Sequence, residues 1–178
     1  MSNAVTMYNF HVWANQTMIN RLKELPRDVY TQQIQSIFPT ISKLLAHMYF
    51  VDLSWFHTIS GISMSEAMER ALQSQEQVES SSLEELEAMY AELSVRFKAL
   101  LDGQDDLEKT IVLDNPYAGV RNTRLSEMVL QVVNHATYHR GNISAMLRQM
   151  GHASVMTEYA LFWYQDEAKA AETAPASV

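Results

Sequence analysis

Apolar residues recur at helical spacing in four long stretches. From about position 3 to position 25, Met7, Phe10, Trp13, Ala14, Met18 and Leu22 share a face, and Pro26 ends the run. A polar stretch follows to Ser36, ahead of Pro39, which suits a helix's first turn because it has no N–H to leave unpaired. The second predicted helix carries Ile41, Leu44, Leu45, Met48, Val51, Trp55 and Ile59, and Gly61 stops it. Residues 62–81 are rich in Ser, Gln and Glu, and read as a long connection with one short helix near Glu66–Leu72. Ser82-Leu-Glu-Glu85 is a capping-box pattern, and Leu86, Met89, Tyr90, Leu93, Phe97 and Leu100 form the third stripe, closed by Gly103.

Between Leu107 and Arg121 the period changes. Thr110–Leu113 is strand-like, residues 114–119 are turn chemistry, and Val120–Thr123 can pair back as a small hairpin. The fourth helix runs from Leu125 to Met150 with Gly151 at its C-cap, and Thr157–Glu167 predicts a short terminal helix anchored by Tyr159, Phe162 and Trp163. Four amphipathic helices with at most two short strands imply an all-α four-helix bundle. The expected domain covers 1–167, with 168–178 a flexible tail.

Composition narrows the chemistry more than the fold. The 178 residues include no cysteine, so any metal must rest on imidazole and carboxylate, and any thiol must arrive as a cosubstrate. A net charge of −8, with no Lys/Arg stripe, argues against nucleic acid as a partner. The N-terminus has no basic region followed by an apolar core, and no apolar run approaches the roughly 20 residues of a membrane span. A cytoplasmic protein is expected.

The pair His135-Ala-Thr-Tyr-His139 stands out. Histidines at i and i+4 project from one helix face, near enough for both rings to reach one ion. Both lie in an otherwise apolar stretch, where each ring nitrogen needs a partner. His47, mid-way along the second helix, is the third candidate ligand; alone it reads first as a hydrogen-bonded core histidine. His11 and His57 are expected at the surface or the bundle ends, with a place lining the site as the lesser reading of each, and His152 in a solvated turn.

These motifs resemble the DinB/YfiT-like superfamily in its DinB branch. Tyr8-Asn-Phe-His-Val-Trp-Ala-Asn15 is similar to the family's Tyr-Asn-x-x-x-Trp-Ala-Asn opening. His47, Asp52 and Trp55 match its His-x-x-x-x-Asp-x-x-Trp helix, and His135-Ala-Thr-Tyr-His139-Arg140-Gly141 its His-x-x-x-His-Arg-Gly block. Asn142 departs from a common glutamine. The resemblance implies an up-down-down-up bundle, a homodimer, and one divalent metal per chain, zinc or nickel before iron or manganese, on His47, His135 and His139. Relatives with a known reaction use the metal to activate a low-molecular-weight thiol such as bacillithiol, mycothiol or glutathione.

Residue by residue, Trp13 and Trp55 suit packing, and Tyr138 suits packing or a hydroxyl near the site. Asp52 suits a salt bridge or packing, or the orientation of a ligand or helix end. Arg140 suits a carboxylate across the bundle or a substrate, and Gly141 a close helix approach. Two classes of function follow. One is a metal-dependent thiol S-transferase or hydrolase acting on an electrophilic small molecule. The alternative is a non-catalytic metal- or ligand-binding dimer of the stress-response kind. Ala136 takes the place of the glutamate in a metalloprotease His-Glu-x-x-His, which argues against peptide hydrolysis.

Overall fold

A computed structural model describes residues 3–165. Helix α1 spans Asn3–Lys23, and a 3₁₀ turn, Arg27–Tyr30, follows Pro26 and buries Val29 and Tyr30. Helix α2 covers Ile41–Ile59, α3 Met64–Leu72, α4 Gln75–Ser80 and α5 Leu83–Asp102. Strands β1 (Thr110–Asn115) and β2 (Gly119–Arg124) precede α6 (Leu125–Gln149) and the short α7 (Tyr159–Phe162). The molecule is a helical bundle carrying one antiparallel hairpin. Among the described residues no helix is long and apolar enough to cross a membrane.

Local chemistry sets the boundaries. At α5 the Ser82 hydroxyl accepts from Glu85 N–H while Glu85 accepts from Ser82 N–H, so the capping box forms as its pattern predicts. The start of α2 corrects the expected one. Thr40, in extended geometry, caps it by accepting from Lys43 N–H at 3.1 Å, so Pro39 lies outside the helix and not in its first turn. Ser63 caps α3 in the same way. Helix α4 was not expected, its six residues being almost wholly polar; Val78 alone is buried and docks it on α2.

The hairpin pairs Thr110 with Arg124 through Asn115 with Gly119, whose φ of +87° only glycine adopts readily. Helix α7 is shorter than expected: Tyr159 and Phe162 dock edge-on against Phe10, while Trp163 is exposed and meets Tyr159 edge-on rather than the bundle core. The expected end of that helix at Glu167 and the tail beyond it lie outside the described residues.

Helices α1 and α2 each pack against both α5 and α6. One core cluster joins Met18, Leu44, Met48, Leu86, Ile143 and Met146; a second joins Tyr8, Trp55, Phe97, Leu113 and Val129. Trp55 is core, as expected, and Trp13 is half-buried against Phe10 and Phe162. Between the two core clusters, where α1, α2 and α6 meet, the interior turns polar.

Candidate metal centre

His47 is held on α2 by its buried neighbours Leu44, Ala46 and Met48; His135 and His139 stand one turn apart on α6, flanked by Val132, Ala136 and Ile143. The packing of α2 on α6 brings the three rings together. His47 Nε2 and His139 Nε2 each lie 3.1 Å from His135 Nε2, and the three nitrogens fall within 4.8 Å of one another. His139 is buried, and the other two are half-buried. Phe38 packs on His47 and edge-on to His139, with ring centroids 5.0 and 5.8 Å away. Tyr138 meets His139 edge-on, its ring otherwise largely exposed.

Proton arithmetic makes this a fit for a cation. A neutral imidazole nitrogen carries one proton or one lone pair, so His135 Nε2 can complete only one of its two short contacts by hydrogen bonding. A single ion among the three would accept all three lone pairs. Nitrogens bound tetrahedrally to zinc at about 2.0–2.1 Å stand about 3.3 Å apart, close to the spacing here.

Electrostatics favour the ligand-competent neutral form. Burial pushes His135 down to about 3, helped by His139, His47 and His11. Burial and then His47 push His139 down to about 4, and burial lowers His47 as well. A ring that turns Nε2 to an ion carries its proton on Nδ1 and needs an acceptor there. For His139 that neighbour is the Asn142 amide, 3.4 Å from Nδ1, which presents its oxygen on a half-turn. The position that departs from the family pattern thus touches a candidate ligand.

Several other positions fall elsewhere than expected. His11 is not at the surface: it is 2% exposed, with Nε2 2.8 Å from Asp52 Oδ2. Asp52 therefore supports α1 and touches none of the three histidines. Arg140 is fully buried, where a substrate contact or a carboxylate partner had been considered. It donates to Asn15 Oδ1 and Thr137 Oγ1, both at 2.8 Å, and lies over the Phe10 ring. A side chain at Gly141 would meet nothing within 4 Å, so close helix approach does not explain this glycine. Among the described residues His57 and His152 join no group able to hold a metal ion.

The run Asp52–His11–Asn15–Arg140, buried throughout and ending on the exposed Thr137, was missed, yet its signal is in the sequence. Positions 4, 8, 11, 15, 18 and 22 follow spacings of four and three, and all six are buried on α1. His11 and Asn15 sit in the middle of that stripe. A scan for apolar residues alone passes over them.

A cavity of about 270 Å³ adjoins His47, walled by Phe38, Ala46, Phe50, Leu72 and Val78, with Lys43 and Glu79 at its margin. Clefts of about 800 and 740 Å³ lie elsewhere, against α1 and α5 and against α1 and α6, and none of the three histidines lines them.

Comparison with known proteins agrees with the motifs. The family model described as DinB family matches residues 1–172. The chain is 45% identical over 168 residues to "Protein DinB" of Bacillus subtilis (strain 168), an overlap covering 94% of this chain and 98% of that protein.

Proposed function

The chain belongs to the DinB family, and from that membership we propose that it holds one divalent ion, zinc or nickel before iron or manganese, on His47, His135 and His139. The observation that carries this reading is the convergence of three Nε2 atoms that protons cannot satisfy together. Three imidazole ligands leave coordination positions over, which is the pattern of catalytic rather than structural sites. When bound, the ion supplies Lewis acidity, which makes a thiol or a water more acidic at neutral pH.

The remaining work falls to the chain's own residues. Burial holds the three rings neutral. Phe38 covers His47 and His139 and keeps bulk water from that side. The cavity beside His47 offers an electrophilic small molecule an apolar bed with charges of both signs at its edge. With no cysteine in the sequence, an attacking thiol must be a cosubstrate. We read the activity as thiol S-transfer or hydrolysis in a cytoplasmic homodimer. The pairing of α1 and α2 with both α5 and α6 supports the up-down-down-up order.

Elemental analysis tests this, on protein purified without tag or added metal, beside a His47/His135/His139 triple-alanine variant. About one ion per chain, absent from the variant, is expected. No stoichiometric ion, and none taken up from supplied zinc or nickel, would remove the centre. A loaded protein that turns over no electrophile with any small thiol would be a metal- or ligand-binding dimer instead.

A further inference from the structure

Among the described residues five buried side-chain polar atoms have no protein partner: His11 Nδ1, Asp52 Oδ1, Thr123 Oγ1, His135 Nδ1 and Arg140 Nε. Four of them belong to the region where α1, α2 and α6 meet, and their protons can be assigned. Arg140 Nε always carries hydrogen. His135 turns Nε2 toward the other two histidines, so as a metal ligand it holds its proton on Nδ1. The 2.8 Å contact from His11 Nε2 to the Asp52 carboxylate, shorter and more strongly polar than the 3.2 Å approach of the Asn15 amide nitrogen, places the proton on Nε2, which leaves Nδ1 of the neutral ring a bare lone pair. Asp52 Oδ1 is an acceptor. Two donors and two acceptors are therefore left over in this one region.

The packing sets the residues level. Phe10 and Ala14 on α1 pack with Val133 on α6, and Asn15 accepts from Arg140. His11 lies one turn before Asn15, with Nε2 3.2 Å from its amide nitrogen, and His135 lies five residues before Arg140. His11 and His135 thus occupy the same height on adjoining helices.

We propose that His11 and Asp52 are positioning residues for the three-histidine centre. Asp52 fixes the His11 tautomer, and His11 Nδ1 accepts the Nδ1–H of His135 across one bridging water, aiming His135 Nε2 at the ion. The inference rests on the metal reading above. Physically it completes what a ligating imidazole requires, an acceptor for its second N–H that fixes ring orientation and raises basicity. It also gives Asp52 a task toward the site without contact with any ligand. The opening motif, the second-helix motif and the His-x-x-x-His block become parts of one construction.

Two measurements on the full chain test this. The first is long-range ¹H–¹⁵N NMR of chelator-treated protein at neutral pH. It should find His11 protonated on Nε2 and His135 on Nδ1; His135 protonated on Nε2 would overturn the proposal whatever the metal result. The second is zinc affinity by chelator competition in a His11→Phe/Asp52→Leu variant. It replaces both partners with apolar groups of similar size, so that no lone buried charge unfolds the chain. Zinc should still bind at one per chain, about 10- to 100-fold more weakly, with metal-free thermal unfolding close to that of wild type. Affinity within twofold of wild type would overturn the proposal. Should the double variant fail to fold, Asp52→Asn serves, with a smaller loss expected and an unchanged affinity counting against it. Wild-type protein that takes up no zinc would sink the metal centre itself, and the tautomers would then decide between His11 and another support for His135.

Discussion

Two groups of buried polar side chains share α6 and are built on opposite plans. His47, His135 and His139 point three like nitrogens at one another, whereas the run from Asp52 through His11 and Asn15 to Arg140 sets donors largely against acceptors. Burial raises the same demand in both places, that a polar atom out of water have a partner. In the run the chain supplies most of its own partners. In the cluster it cannot, and burial together with the neighbouring rings drives protons off. The Asn15–Arg140 part of the run should therefore contribute to the stability of the protein itself, and the cluster, with His11 and Asp52 behind it, to affinity for something the protein must acquire.

The largest expected effect separates the two directly. Arg140→Met keeps much of the buried volume but strips the buried Asn15 Oδ1 of its donor. It should cost about 2–3 kcal/mol, the expense of leaving buried polar groups unpaired. His135→Ala removes a half-buried ring whose contacts are already in conflict and should cost about 1 kcal/mol or less in the metal-free protein. Urea unfolding of chelator-treated variants measures both. Equal costs would break the comparison, since the cluster would then be a structural core element like its neighbour.

Acid should distinguish them next. Histidines of the unfolded chain titrate near 6.5, while in the folded chain His135 and His139 are held down to about 3 and about 4. Between those values the unfolded state binds protons that the folded state refuses, so stability is full above about pH 6.5 and declines as pH falls toward 4. Metal-free wild type should accordingly lose stability between pH 7 and pH 5, and the triple-alanine variant should lose distinctly less. Urea midpoints at the two pH values give the slope; parallel slopes would mean that the three histidines titrate normally.

The comparison also explains what could be read in advance. Long helices with continuous apolar stripes and Ser-type caps were legible, α5 with its capping box above all, because each signal is local. The i, i+4 pair His135 and His139 was legible for the same reason, and so was His47 once a facing helix was assumed. Helix α4 was not, since a six-residue polar turn forms where packing holds it rather than where propensity asks for it. The buried run was missed because its members are polar residues at core positions of three different helices. Their burial is a tertiary fact, though the stripe through Tyr8, His11 and Asn15 announced it for α1. Arg140 is the extreme case: its residue type suggests surface or substrate, and the fold makes it the largest fully buried side chain.

Gly141 supplies the smallest effect and a test of where the comparison ends. It follows Arg140 directly and lies within two residues of His139, so both groups of side chains hang from the turn of α6 that contains it. A helix-interior glycine gives up about 0.5–1 kcal/mol relative to alanine, chiefly because the unfolded chain is freer. Its backbone is helical and a Cβ would meet nothing within 4 Å, so no steric term opposes the change within one chain. Gly141→Ala should then raise stability by up to about 1 kcal/mol, or the unfolding temperature by about 2–4 °C, equally with and without metal. A gain in the metal-free protein that vanishes on loading would mean that the added methyl disturbs His139 and that α6 must give slightly to close the site. A loss under both conditions, growing with protein concentration, would instead place a second copy of the chain against this face, with the glycine kept for that contact.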